Sequence, residues 1–158
     1  MIINEYDPLP ASARKLFERS YRCSAPEDPH HVVATLGGGS AGARALCYVH
    51  FTALGEVLLG GGACVDAHRL RSAAPAERAA LRAMGGPYRA TLEWALSHFA
   101  ARFPAIFGYC GDRLAERIDL AAGFVKTEHP HLLVHWTRAL PAAEQARLIA
   151  IAHGVGPF

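Results

Sequence analysis

Apolar residues at 88, 92, 95, 96, 99 and 103 are spaced by threes and fours, which predicts a helix with one buried stripe. Pro87 suits the first position of that helix, where its missing N–H is not needed. A second helix is predicted after Asp112, a residue type that caps helix N-termini with its side chain. Leu114, Ile118 and Ala121 or Ala122 form the inner face predicted for it, and Arg113, Glu116 and Arg117 the outer. Gly123 stands at the position where helices stop. Between the two helices, residues 105–110 form a short apolar run of strand type, and Phe124-Val125 begins another.

The first half of the chain alternates instead. Residues 30–36, 43–52 and 56–66 read as three strands. In the second of these, Leu46, Tyr48, His50 and Thr52 share one face, and Ala45, Cys47, Val49 and Phe51 share the other. The glycine-rich stretch 37–42 reads as a hairpin connection and Leu54-Gly55 as a turn. Helices are predicted at 12–22, at 75–81 with Pro75 at its start, and at 141–152 with Leu148, Ile149 and Ala152 inward. Two further strands are expected at 125–127 and 132–136. Residues 1–10 read as an irregular lead-in, because Asp7-Pro8-Leu9-Pro10 cannot be regular helix. At the other end, residues 154–158 form a tail whose Phe158 is a candidate to fold its ring back onto the body.

Two glycine clusters carry candidate chemistry. Gly60-Gly61-Gly62 interrupts a strand, where glycine marks a bulge or the close approach of another group. Met84-Gly85-Gly86-Pro87 opens a helix, and free amides and the helix dipole at such a place favour an anion. Arg82 and Arg89 add positive charge beside it, and Arg69, Arg71 and Arg78 make the preceding stretch basic. The competing reading is an ordinary helix start beside a solvated surface.

The order strand, helix, Gly-Phe, strand resembles the C-terminal half of the GNAT superfamily of acyl-CoA N-acyltransferases. Asp112, Ala115, Ile118, Asp119, Gly123 and Phe124 stand at the spacing of the family pattern Asn-x-x-Ala-x-x-Leu-Tyr-x-x-x-Gly-Phe. The run Gly61-Gly62-Ala63-Cys64-Val65-Asp66 resembles the end of the family's central strand, and Arg82-x-x-Gly85-Gly86-Pro87 resembles its CoA loop. The resemblance spans residues 32–136. It implies an α/β (α+β) fold with a mixed, mostly antiparallel central sheet flanked by helices. The whole chain, 1–158, would be one such domain, with a helical insertion at about 68–82 and a C-terminal helix at about 141–153. That insertion reads equally as a cap over the CoA site or as a surface excursion.

The resemblance also implies a co-substrate, acetyl-CoA or another short acyl-CoA, and an amine acceptor, small molecule or protein. It places Cys64 and Val65 at the thioester and pantetheine arm, and Arg82, Gly85, Gly86, Tyr88, Arg89 and Asp112 around the rest of the CoA. Glu56 is the expected base, ahead of Asp66 and His50. Asp119 stands where the family often has the tyrosine that protonates the departing thiolate, with Tyr109 and Tyr88 as substitute acids. The loop also comes about a dozen residues late and ends in Pro87. A GNAT-like module that binds CoA or a partner without catalysis is the alternative.

Composition narrows the picture. Of 158 residues, 51% are hydrophobic and 19% charged, the balance of a folded chain. A net charge of +2 gives no argument for nucleic acid. Cys23, Cys47, Cys64 and Cys110 form no C-x-x-C pair, and free thiols in a cytoplasmic protein are expected. No apolar run reaches the length of a membrane span and no signal peptide is evident. His129, His131 and His135 share parity, but Pro130 and the turn expected there argue against a metal site. A G-x-x-x-x-G-K-[ST] loop is absent, which removes the simplest nucleotide-triphosphate reading. A free strand edge after Trp136 would permit a homodimer.

Overall fold

The computed structural model describes residues 1–27, 30–37 and 44–158. Its elements are β1 (Ile2–Tyr6), α1 (Ala11–Tyr21), β2 (His30–Thr35), β3 (Ala45–Leu54), β4 (Val57–Val65), α2 (Ala67–Ser72), α3 (Pro75–Ala83), α4 (Pro87–Phe99), β5 (Ala105–Tyr109), α5 (Arg113–Ala121), β6 (Val125–Lys126), β7 (Leu132–Trp136) and α6 (Ala142–Val155). The strands form one sheet in the order β1-β2-β3-β4-β5-β7-β6. Every neighbouring pair is antiparallel except β4 with β5. The sheet is therefore mixed and mostly antiparallel, with helices on both faces, as the family resemblance implied. Of the predicted glycine-rich connection at 37–42, only Gly37 lies within the described residues.

The alternation of β3 sorts the core into layers. Cys47, Val49 and Phe51 face α4 and pack with Leu92, Ala95, Leu96 and Phe99 of the predicted helical stripe. Tyr48 faces the opposite way, onto Leu16 and Phe17 of α1. On that second face α6 covers the other half of the sheet, with Leu148 and Ala152 buried against Phe107 and Val134. The stretch between β4 and α4 forms two helices, not one. Leu81 and Ala73 seat them on Leu36 and Leu46.

Two expectations are corrected. The N-terminal ten residues are not merely a lead-in: β1 pairs with β2 from Ile2↔Thr35 to Tyr6↔His31. Its alternation is hard to read because Glu5 points inward. There the carboxylate is bonded by His30 Nδ1 (2.6 Å) and His98 Nε2 (2.7 Å). The inner face of α5 is also shifted in phase. Asp112 caps it by accepting from the Ala115 amide at 2.8 Å, and Asp119, 6% exposed, is the residue turned inward. Leu114 is instead 64% exposed.

Candidate active site

The site begins where β4 and β5 part. Their parallel pairing runs from Val57↔Ala105 to Gly60↔Gly108 and stops. Beyond it β4 continues with β3 alone, to Cys47↔Val65. The β3–β4 register shifts between Val49↔Ala63 and Phe51↔Gly60, so His50 opposes both Gly61 and Gly62. One residue facing two is a β-bulge, which bends the strand away from its neighbour. The resulting cleft holds about 470 Å³.

The glycines of the bulge are there for lack of room. A Cβ on Gly61 would lie 2.1 Å from His50 Nε2, and one on Gly62 3.0 Å from the Tyr21 ring. What approaches β4 most closely is thus the protein's own imidazole. His50 is wedged between Phe17 and Tyr48, and burial lowers its pKa to about 4, so the ring is neutral near pH 7. Among the described residues its Nδ1 has no hydrogen-bond partner.

The free edge of β4 is readable from one bond. The Asp66 amide donates to Leu46 O on β3, so by strand alternation the amides of Cys64 and Asp66 face β3 and those of Ala63 and Val65 face away from it. The Ala63 carbonyl on that free edge accepts from the Tyr21 hydroxyl at 2.8 Å. Of the two strand residues expected at a thioester, Val65 therefore presents its amide to the cleft and Cys64 does not. Ala63, which the sequence reading passed over, is the second amide there. Only pairing register, invisible in the chain alone, could have found it.

The glycine turn lies between α3 and α4. Gly85 and Gly86 have positive φ, 76° and 96°, and Gly86 N-caps α4 with no side-chain bond. Their own amides are occupied, donating to Arg82 O (3.0 Å) and Leu81 O (2.8 Å). Among the described residues the amides of Tyr88 and Arg89 in the first turn of α4 have no acceptor, the usual state of a helix start. Arg82 is exposed at the end of α3, while the Arg89 side chain folds across Gly85 to pair with Glu93 at 2.7 Å.

Tyr88, Cys110 and Asp119 meet in the wall of the cleft on the α4 side. The Tyr88 hydroxyl donates to Asp119 Oδ1 at 2.7 Å, and the Cys110 sulfur lies within reach of the same carboxyl. Burial raises the pKa of Asp119, outweighing the bonds from Tyr88 and Cys110 that favour the carboxylate. Burial, and then the neighbouring Asp119, raise that of Tyr88. Burial pushes the Cys110 thiol up to about 11, so it is not a ready nucleophile. Position 119 and Tyr88 are 31 residues apart, and nothing in the spacing announces that they touch.

The remaining expected residues separate. Tyr109 and Asp112 line the cleft, Tyr109 with its ring 6.0 Å from that of Phe158. Phe158 does fold back, onto Tyr109. Glu56 lies in the turn before β4, outside the cleft lining, and is ion-paired with Arg147 of α6. Asp66 caps α2 and pairs with Arg19 at 3.1 Å. His131 and His135 turn to the carbonyls of Cys110 and Gly123, and His129 stacks on His153 at 3.6 Å. No residue of α2 or α3 lines the cleft.

No family model and no curated protein matches the chain in sequence. Solved structures do match its fold. The ribosomal-protein-S18-alanine N-acetyltransferase from Escherichia coli superposes with a TM-score of 0.60 at 11% identity, covering 89% of this chain and 97% of that one. E. coli YhhK, solved bound to coenzyme A, gives 0.55 at 12% identity over 85% and 97%. Tetrahymena GCN5 gives 0.52 at 11% over 82% and 87%. The chain has the GNAT fold. In this GNAT fold the parted strands β4 and β5 and the Tyr88–Asp119 pair line one cleft; of the α4 start only Tyr88 reaches it, and Gly85, Gly86 and Arg89 stand outside the lining. Among the described residues no helix is long and apolar enough to cross a membrane.

Proposed function

We propose that the protein transfers an acetyl or other short acyl group from acyl-CoA to an amine. The observation that carries this reading is the junction of β4's free edge with the Tyr88–Asp119 pair, at the mouth of the helix start that suits a phosphate. The pyrophosphate would take the Tyr88 and Arg89 amides, with Arg82 and the Gly85-Gly86 turn around it. The pantetheine arm would run along β4, and the Val65 or Ala63 amide would polarise the thioester carbonyl. The amine attacks that carbon, a C–N bond forms and the C–S bond breaks. The Tyr88 hydroxyl, turned from Asp119 Oδ1 to the sulfur, gives the thiolate its proton, and the proton lost by nitrogen returns through water to Tyr88, so the pair is restored. Glu56, committed to Arg147 outside the cleft, is assigned no step, and Tyr109 is assigned a wall.

The test has two layers. Titration with acetyl-CoA should raise the melting temperature, because at ~100 times its dissociation constant a ligand adds about 2.7 kcal/mol. CoA release in the presence of an accepted amine should then fall at least tenfold in Tyr88→Phe and in Asp119→Asn, with acetyl-CoA affinity kept, while Glu56→Gln keeps full turnover. Acetyl-CoA binding with no turnover of any amine would leave a CoA-binding module. No binding would remove the reading altogether.

A further inference from the structure

The cleft passes through the sheet, and its two mouths differ. On the α4 side it is walled by Leu92, Phe124, Tyr88 and Asp119, the half assigned above to acyl-CoA. The other mouth opens between the C-terminal end of α1 and the segment after α6. There three aromatic rings, Tyr21, Tyr109 and Phe158, line it beside the backbone of Gly61 and Gly62, whose faces toward α1 are covered by His50 and by Tyr21 itself.

The rings are held in place. Tyr21 stacks on Phe17 at 4.6 Å with 29° between planes, and its hydroxyl is tied to Ala63 O. Phe158 meets Tyr109 edge-on, at 6.0 Å and 67°. Among the described residues no Lys, Arg or His side chain lines the cleft, so nothing there pairs with an anionic group on an acceptor. Two carboxyls do line it: Asp119 is buried and bonded by Tyr88, and exposed Asp112 caps α5 through one oxygen. Glu56 and Asp66, the acids nearest along β4, are ion-paired with Arg147 and Arg19 and stand outside the lining. A polycationic acceptor therefore finds Asp112 alone as an unpaired carboxylate in the lining, and an amino acid finds no cation there.

Resting on the acyl-transfer reading, we propose that the acceptor is a primary amine carried on a flat aromatic body that bears no carboxylate or phosphate. The aromatic body lies among the three rings, where offset and edge-to-face contacts are favourable. Its nitrogen then points through the gap between β4 and β5 toward the thioester carbon.

The experiment uses the full chain and matched amines. Acetyl-CoA affinity is measured first by calorimetry, and kcat/KM is then measured by CoA release with phenethylamine, butylamine, phenylalanine and spermidine. Phenethylamine should exceed each of the other three at least tenfold. Phe158→Ala should raise KM for phenethylamine about tenfold and leave the acetyl-CoA Kd within twofold, and Phe158→Trp should restore KM. Parity of butylamine, phenylalanine or spermidine with phenethylamine overturns the proposal, as does acetyl-CoA binding with no phenethylamine turnover. An unchanged KM in Phe158→Ala overturns it too. Absence of acetyl-CoA binding overturns the acyl-transfer reading beneath it, and the calorimetric arm tells these failures apart.

Discussion

Asp119 and His50 flank the cleft from opposite faces of the sheet, and burial moves them in opposite directions. For Asp119 the protonated form is favoured in the fold, its pKa being raised above 3.8. The native state then binds more protons than the unfolded one between those two values. Stability from this residue falls as pH rises through that window and is constant above it. For His50 the neutral form is favoured, from 6.5 down to about 4. Here the unfolded state binds more protons, so stability is lost as pH falls from 6.5 toward 4, by at most about 3 kcal/mol. Urea unfolding at a series of pH values should therefore show opposite changes in the two variants. The difference between wild type and Asp119→Asn should favour wild type increasingly toward low pH. The difference for His50→Gln should shrink from pH 7 to 4. A flat difference in either would show that the residue is not held as described. The residues themselves were visible in the chain: His50 by its place on a strand face, Asp119 by the resemblance. Their partners were not, because Tyr88–Asp119 and His50–Gly61 are contacts made by the fold.

At the scale of elements, β4 shows what a glycine run in a strand can and cannot reveal. The bulge was legible, since three consecutive glycines in an apolar strand have few other uses. The cause was not: Gly61 makes way for His50 and Gly62 for Tyr21. The two should therefore respond differently to the same added methyl. In Gly61→Ala the clash is with a ring boxed in by Phe17 and Tyr48, so the strand must move, at a cost of about 1–3 kcal/mol. In Gly62→Ala the contacts are looser, 3.0 Å to the Tyr21 ring and 3.2 Å to Phe17, so a few tenths of an ångström suffice and the loss should stay at about 1 kcal/mol. Chemical denaturation of both variants decides it, and equal losses would mean that His50 yields as readily as Tyr21. The helices tell the same story. The α4 stripe was plain from its period, whereas α5 was read one residue out of phase. A buried polar Asp119 and an exposed Leu114 invert the usual rule for an amphipathic helix.

Across the whole molecule, the machinery of the cleft and the fastening of the sheet lie apart. β1 is the outermost strand on its side, and Glu5 anchors it through His30 on β2 and His98 on α4, with Arg102 at 3.7 Å. None of these four residues lines the cleft. Burial alone would raise the Glu5 pKa, but the bonds from His98 and His30 outweigh it and hold the carboxyl below its ordinary value. With a lowered folded pKa, the stability that Glu5 adds is present above 4.5 and is lost as pH falls through the native value. Glu5→Gln keeps the shape and removes the charge, so at pH 7 it should cost about 1 kcal/mol, the scale of a half-exposed charged hydrogen bond. The deficit relative to wild type should vanish at a pH low enough to protonate Glu5. Acetyl-CoA affinity should be unchanged throughout, because β1 is separated from the cleft by β2 and β3, and its contact with α4 is at His98, at the opposite end of that helix from Tyr88. Melting curves at pH 7 and pH 3, with a calorimetric titration at pH 7, check all three parts. A loss of acetyl-CoA affinity in this variant would show that the edge of the sheet sets the width of the gap between β4 and β5, and that fastening and site act as one.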